Sequence, residues 1–368
     1  MFFLQRYMKD NISIAKGLAI ILMVIGHSGI KWDIPVLFNA INLFHMPLFI
    51  FVSGYCFKWV YVDDVKKFVW KRFKGLWWPY VKYGIIFVAL HNVFFYCHIY
   101  NDSFGAIGAV NAASLYEPMV FLKKILRLFV MSDTEQLLGG FWFLKSLFWG
   151  SLFALISIKI FSFFDSKKKD VVVGALSLLV FAAFFSFFSL KIPIVDLGSK
   201  ELFAAFFFLM GTFAAFWEPV KTKWLSALFL FVVLGALWFN STVSLLNYKT
   251  WQIIPYCFFS LSGIVATLYI SDELNASNLK IKFFLVFVGN NTLAILTWHF
   301  LCFKIVSFVR ILCENRSVLE LAYFPVIPNA KWWSIGYILV GVLLPLLAVK
   351  IEGPIKIKIV DFFNRMVK

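Results

Sequence analysis

The chain has 368 residues, of which 62% are hydrophobic and 15% are charged, and its mean hydropathy is +0.85. Soluble domains are roughly half apolar, and 19 acidic with 35 basic residues can hardly cover a water-soluble globule of this length. The composition therefore excludes a soluble protein and predicts an all-α integral membrane protein whose solvent is the lipid bilayer. The net charge of +16 would suit nucleic acid only if the cations followed one face, but they lie between apolar segments, so no nucleic-acid partner is expected.

Ten stretches approach the length of about 20 mainly apolar residues that a membrane-spanning helix needs. They cover roughly residues 12–30, 40–57, 77–99, 140–164, 171–190, 201–217, 224–240, 251–270, 283–309 and 333–350. Because ten is even, both termini share one side. Lysine and arginine number 20 in the alternate connections and tails against nine in the others, so positive charge places both termini in the cytoplasm. No long linker or repeat interrupts residues 1–368, which predicts a single domain.

One amphipathic segment lies between the third and fourth stretches. Residues 119–131 are apolar on one helical face and basic on the other, and the segment is too short and too charged to span a bilayer. It predicts a helix that lies in the membrane interface or re-enters it. The five cysteines form no CxxC pair and mostly lie in apolar runs, so they are interpreted as buried thiols, and no metal is expected.

Ionisable residues inside a membrane span are the most informative, because each is unfavourable unless it faces a cavity or a partner. Lys16 and His27 lie 11 residues apart in the first span, which puts them on one helical face about 16 Å apart along the axis. A simpler interpretation is that Lys16 reaches the inner head groups while His27 hydrogen-bonds a neighbouring carbonyl.

The second span adds another histidine. His27 and His45 lie seven and 11 residues from Ile34 in the outer turn, so they can meet at similar depth. Pro47 lacks an amide hydrogen and frees a carbonyl that must be satisfied inside the protein. Two imidazoles at one depth favour a site over two unrelated core histidines.

In the inner connection after the second span, residues 66–74 carry five cations. They are Lys66, Lys67, Lys71, Arg72 and Lys74, and those at spacings of four, five and eight share one helical face. Such a surface suits phosphate binding, and it equally suits anchoring to anionic lipid head groups.

Several of these segments resemble the membrane acyltransferase-3 family of bacterial surface-sugar acyltransferases. The similar segments are Lys16–Gly17 with Gly26–His27, residues 44–55, residues 71–80, residues 141–144, and Gly289 through His299. Residues 44–55 are close to the signature of the branch that contains fucose 4-O-acetylase-like and succinoglycan-type enzymes. The resemblance runs from about residue 10 to 350. The family often has arginine where Lys16 stands and aspartate where Ser13 stands.

The resemblance implies transfer of an acyl group, usually acetyl, from cytoplasmic acyl-CoA such as acetyl-CoA. The acceptor is a hydroxyl of a cell-surface saccharide or its lipid-linked precursor, at the bacterial cytoplasmic (inner) membrane. A neutral histidine suits removal of the hydroxyl proton, so His27 is expected to be the general base, with His45 orienting or relaying. An acyl-imidazole on His27 is the alternative route.

The remaining candidates bind the two substrates. Lys71, Arg72 and Lys74 are the candidates for the donor phosphates, with Lys16 nearer the cavity mouth. Aromatic rings that could stack on a sugar are Tyr55, Trp142 and Trp298, although such residues also form interfacial belts, and His299 is a further substrate-binding candidate. His91 and His98 are interpreted as structural or outer-rim residues.

A transporter or flippase without acyl-transfer chemistry is the competing class. Many spans with intramembrane histidines and broken helices also describe proton-coupled carriers. Carriers of that kind usually add intramembrane carboxylates, whereas most acidic residues here fall in predicted loops or tails.

Overall fold

The structure is a computed structural model that describes residues 2–105, 112–162, 166–216 and 224–366, with side chains between residues 10 and 351 of these ranges. Helices form nearly all of its regular structure. The only strands in the described ranges form one antiparallel hairpin, in which Lys191–Ile192 (β1) pairs with Leu197–Gly198 (β2). The prediction of an almost purely helical fold is confirmed.

Fifteen α-helices follow one another in the described part of the chain. They are α1 (Phe2–His27), α2 (Ile30–Asp33), α3 (Pro35–Tyr55), α4 (Val60–Asp63), α5 (Val65–Arg72), α6 (Trp78–Tyr96), α7 (Pro118–Phe129), α8 (Trp142–Ile160), α9 (Lys167–Phe187), α10 (Ser199–Ala214), α11 (Leu225–Phe239), α12 (Ile253–Ala276), α13 (Ile281–Asn290), α14 (Thr292–Glu314) and α15 (Trp333–Met366). A π-helical turn covers Phe73–Trp77, and 3₁₀ turns cover Gln136–Phe141, Thr250–Gln252 and Val318–Ala322.

Seven helical stretches within the described residues are long and apolar enough to cross a membrane. They are Asp10–His27, Pro35–Tyr55, Gln136–Ile160, Lys167–Phe187, Thr250–Ala276, Thr292–Glu314 and Trp333–Ile351. The other predicted spans correspond to α6, α10 and α11, which are not among the seven. Ten spans and two cytoplasmic termini therefore stay predictions. Residues 163–164 and 217, at the ends of two predicted spans, lie outside the described residues.

The prediction of one continuous span over residues 283–309 is wrong, because the helix breaks at Asn291. The backbone there leaves the helical region, with φ −117° and ψ 23°, and separates α13 from α14. On the α13 side, Ser13 Oγ donates to Asn290 Oδ1 at 2.9 Å, and a Cβ on Gly289 would overlap the Ser13 carbonyl. Close packing of α13 on α1 accompanies the break.

Helix α3 is fixed on two sides, which sets the positions of the side chains it carries. A Cβ on Gly54 would overlap the Phe208 carbonyl, so α3 and α10 approach backbone to backbone. On the other side, Ser260 Oγ of α12 donates to the Leu43 carbonyl, which Pro47 leaves without its helical partner.

The cation-rich segment after α3 is helical, and it joins α6 through the π-helical turn. Pro79 cannot donate to the carbonyl four residues earlier, and the Trp78 N–H donates to the Phe73 carbonyl, five residues back. The wider turn lets the chain continue from α5 into α6 without a loop.

Helix α7 is the predicted amphipathic segment, and it packs along α6. The Tyr116 N–H, just before α7, donates to Asn92 Oδ1 near the end of α6, while the Phe129 carbonyl accepts from Trp77 Nε1 near its start. The two helices are therefore antiparallel, which fits a re-entrant segment. The basic face is not wholly exposed, because Lys124 is buried and pairs with Asp133 at 2.9 Å.

Candidate functional site

A cavity of about 340 Å³ runs into the bundle between α1, α3, α5, α8 and α14. Its lining follows α3 from Met46 to Cys56, which is about 15 Å along the helix axis. Polar groups are concentrated at the end near Cys56, where Lys16, Lys71 and Arg72 line it. The cavity is thus long and narrow, with a basic mouth.

Arg72 is a half-buried cation at this mouth, placed by the end of α5. Its Nη1 donates to Ser53 Oγ at 3.0 Å, and its guanidinium carbon lies 4.8 Å and 5.2 Å from the ring centres of Phe68 and Phe208. Burial lowers the pKa of Arg72 to about 10, which still leaves it charged at neutral pH.

Nothing in the described residues neutralises the Arg72 guanidinium. No carboxylate there lies within ion-pair distance of it, and its buried Nε has no hydrogen-bond partner. A buried charge without a counter-ion is unfavourable by several kcal/mol, on the order of the desolvation penalty of one ion. The site therefore suits an anionic ligand.

The other predicted donor-binding cations divide between two environments. Lys71 lines the cavity and its Nζ donates to Tyr61 Oη at 3.2 Å, while Lys16 lines the same end from α1. Lys74 is exposed, does not line the cavity, and lies 4.9 Å above the ring of Trp70. The structure brings Lys16, Lys71 and Arg72 together and leaves Lys74 outside.

Three histidines lie beyond the deep end of the cavity. Met23, Met46 and Leu296 line this end, and His27, His45 and His299 lie within four residues of them on the same helices. The rings of His27 and His299 stack with 5.6 Å between centroids and 29° between planes. His45 is close enough to His27 for their charges to interact. The histidine of α1 therefore stacks on the histidine of α14, and the histidine of α3 lies near His27.

Hydrogen bonds fix which ring nitrogen carries the proton in two of these histidines. His45 Nδ1 lies 2.7 Å from the Ile41 carbonyl, and His299 Nδ1 lies 2.9 Å from the Ile295 carbonyl. Because a carbonyl only accepts, each Nδ1 must be the donor. Each Nε2 is then a lone-pair acceptor when the ring is neutral. His299 Nε2 is buried and has no hydrogen-bond partner among the described residues.

The three aromatic candidates do not converge on the histidines. Trp298 packs against Phe87 at 5.4 Å and Tyr83 at 6.1 Å between ring centres. The Lys200 ammonium lies 5.7 Å from the ring centre of Trp142. Tyr55 does not line the cavity. Of the four substrate-binding candidates, only His299 lies at the site.

Several residues of the site were not predicted. Ser53 holds Arg72, Tyr61 holds Lys71, and Phe208 stacks on the guanidinium from α10. The sequence offers only a weak indication that Ser53 belongs to the site, namely a hydroxyl beside Gly54 in an apolar span. Phe208 carries none, because it is one of 47 phenylalanines.

Comparison with known proteins identifies the family but no individual relative. A family model described as an acyltransferase domain, acyltransferase 3, matches residues 9–348, which include the cavity and all three histidines. No curated protein and no solved structure matches the chain. Since the model covers most of the sequence, the chain belongs to the acyltransferase-3 family of membrane acyltransferases.

Proposed function

We propose that the protein transfers an acyl group, most simply acetyl, from cytoplasmic acyl-CoA to a hydroxyl of a cell-surface saccharide or its lipid-linked precursor. The observation that carries this proposal is one cavity with a half-buried cation at its mouth, which has no counter-ion among the described residues, and three histidines beyond its deep end. A donor with phosphates at one end and a thioester at the other matches that layout. The proposal places the protein in the bacterial cytoplasmic membrane.

The donor binds with its phosphates at the mouth. Arg72 presents an unbonded Nε, and Lys71 and Lys16 add two further cations to the same end. Charge-assisted hydrogen bonds from these groups to phosphate are roughly twice as strong as neutral ones. The pantetheine arm then follows α3 along Phe49 and Met46 toward the histidines.

His27 acts as the general base. It accepts the proton of the acceptor hydroxyl as that oxygen attacks the thioester carbonyl, so a carbon–oxygen bond forms and the carbon–sulfur bond breaks. The imidazolium then returns the proton to the departing thiolate, which gives the ester and free CoA. The neighbouring rings assist, because the Nε2 atoms of His45 and His299 are acceptors that can orient the hydroxyl or His27.

The test is acylation of surface glycans in the native host by the variant His27→Ala at unchanged protein abundance. A general base contributes about 10²- to 10⁴-fold to a rate, so the mass shift of the acyl group should vanish from the glycans. His98→Asn is the matched control, because His98 is exposed and has φ 57°, a conformation that asparagine tolerates. Normal acylation by His27→Ala would eliminate His27 as the base.

A covalent acyl-imidazole on His27 is the second route for the same overall reaction. Rapid quenching after mixing the protein with radiolabelled acetyl-CoA separates the routes. Label retained on the protein and lost with His27→Ala supports the covalent route, whereas unlabelled protein during turnover supports direct attack.

A further inference from the structure

A second, polar pocket lies at the opposite end of the bundle from the basic mouth. Helix α9 begins with Lys167, whose ammonium lies 5.1 Å from the ring centre of Trp59, just after α3 and the mouth. It ends 21 residues later, about 30 Å away along its axis, beside this pocket. The pocket has a volume of about 310 Å³.

The pocket walls combine hydrogen-bond donors and acceptors at close spacing. They come from the end of α9, the β1–β2 hairpin, the start of α10 and the 245–248 segment. The polar lining residues are Ser186, Ser189, Lys191, Asp196, Ser199, Lys200, Glu201 and Tyr248. Such a mixture matches a polyhydroxylated ligand, whose hydroxyls donate and accept at once.

Asp196 is the main acceptor and is held in place by cations. The Lys145 ammonium donates to its carbonyl at 2.8 Å, and Lys191 lies 3.4 Å from its carboxylate. Burial raises the pKa of Asp196, but the charges of Lys145 and Lys191 outweigh burial and hold it below the usual value. The carboxylate is about half exposed, so it remains an ionised acceptor open to a ligand.

Tyr248 and Glu201 make the opposite wall rigid. Tyr248 Oη donates to Ser199 Oγ at 2.9 Å. Glu201 is buried and accepts from Ser146 Oγ at 3.1 Å and from the Gly198 N–H at 3.0 Å. The polar groups are therefore preorganised by bonds that tie α8, the hairpin and α10 together.

One short segment of the chain lies near both this pocket and His299. Lys200 lines the pocket and lies over the ring of Trp142, the first residue of α8. Two residues earlier, a Cβ on Gly140 would lie 3.9 Å from His299 Cε1. The segment from Gly140 to Trp142 thus lies close to both the pocket and His299.

We infer that the pocket beside Asp196 and Tyr248 is a subsite for the acceptor saccharide, which enters from the side opposite to acyl-CoA. A sugar unit binds there through its hydroxyls while a neighbouring unit of the same chain presents its hydroxyl to His27. This assignment rests on the proposed function, and it adds the side of entry and a requirement for more than one sugar unit.

The experiment measures saccharide binding separately from donor binding. The probe is a set of oligosaccharides released by mild acid from the host surface polysaccharide and fluorescently labelled at the reducing end. Purified full-length protein in detergent is titrated with this probe, and acetyl-CoA binding is measured on the same sample. Asp196→Asn and Tyr248→Phe should each weaken oligosaccharide binding about tenfold or more, with acetyl-CoA binding unchanged.

Both substitutions are chosen to preserve the fold. Asp196 has φ 46°, which asparagine tolerates, and phenylalanine keeps the ring packing of Tyr248. Asp102→Asn, on an exposed loop outside the pocket, is the matched control and should bind like the unaltered protein. Unchanged acetyl-CoA binding reports that each variant is folded.

The outcomes separate this inference from the proposed function. Oligosaccharide binding that is unaffected by both substitutions, or no binding by the unaltered protein, overturns the subsite even if acetyl-CoA binds. Loss of transfer in His27→Ala with oligosaccharide binding retained supports both. Absence of acetyl-CoA binding with intact, Asp196-dependent oligosaccharide binding overturns the donor assignment and leaves the subsite standing.

Discussion

Replacing Arg72 by glutamine is the sharpest test of the donor site, because Arg72 is a half-buried cation at the cavity mouth with no carboxylate within ion-pair distance among the described residues. Glutamine keeps a polar side chain, and the change removes the charge together with the bond from Nη1 to Ser53 Oγ. A hydrogen bond to a charged group contributes about 1.5–3 kcal/mol. The half-saturating acetyl-CoA concentration should therefore rise about tenfold to 150-fold.

Two comparisons make this prediction specific. S-acetylpantetheine carries the thioester but neither the pyrophosphate nor the 3′-phosphate, so its half-saturating concentration should change little in Arg72→Gln. Lys74→Gln is the matched protein control, because Lys74 lies outside the cavity over Trp70. It should raise the half-saturating acetyl-CoA concentration less than about twofold, because exposed charges are screened by solvent and contribute little. Equal increases for both donors, or an increase for Lys74→Gln as large as that for Arg72→Gln, would refute the reasoning.

Three further predictions concern the histidines, the packing of the bundle and the aromatic residues. His299→Ala should reduce transfer about 10²-fold or more with acetyl-CoA binding retained, since its ring stacks on His27 and its Nε2 has no hydrogen-bond partner among the described residues; full activity by radiolabelled transfer contradicts this. Gly54→Ala should destabilise the protein by about 3 kcal/mol or more, because its Cβ would overlap the Phe208 carbonyl. Gly75→Ala should be neutral or slightly stabilising, because nothing lies within 4 Å of its Cβ; thermal unfolding in detergent compares the two. Trp298→Phe should leave the KM for the acceptor within about twofold, because the Trp298 ring packs on Tyr83 and Phe87. A rise in that KM of about fivefold or more, which corresponds to about 1 kcal/mol of lost aromatic stacking, would return Trp298 to the site.

The sequence could predict those parts of the site that lie within one helix or one hairpin. Lys16 and His27 share a helical face because 11 residues make three turns, and His45 reaches the same depth across a short outer turn. These residues could be identified without knowing how the helices pack, because ionisable side chains are rare in membrane spans.

The parts that the sequence could not predict depend on contacts between distant helices. His299 meets His27 only because α14 packs against α1, and the two residues are 272 positions apart. Arg72 enters the cavity while Lys74 faces away, because residues two positions apart point to different sides of a helix, and only the packing of α5 decides which side faces the cavity. The rings of Trp142 and Trp298 pack in different places, against Lys200 and against Phe87, and the sequence could not show this.

The distribution of polarity along the cavity suggests how transfer is kept ahead of hydrolysis. Between the basic mouth and the histidines, the lining is apolar and includes Ile20, Phe49, Phe143 and Leu147. A thioester held beyond such a segment is screened from water entering by the mouth, and reaction then depends on a hydroxyl that arrives from the other side. If the pocket beside Asp196 binds the acceptor, as inferred above, that hydroxyl arrives only when a saccharide is bound. Replacing Phe49 by serine should therefore raise acetyl-CoA hydrolysis relative to transfer, whereas an unchanged ratio would mean that the apolar segment does not control access of water.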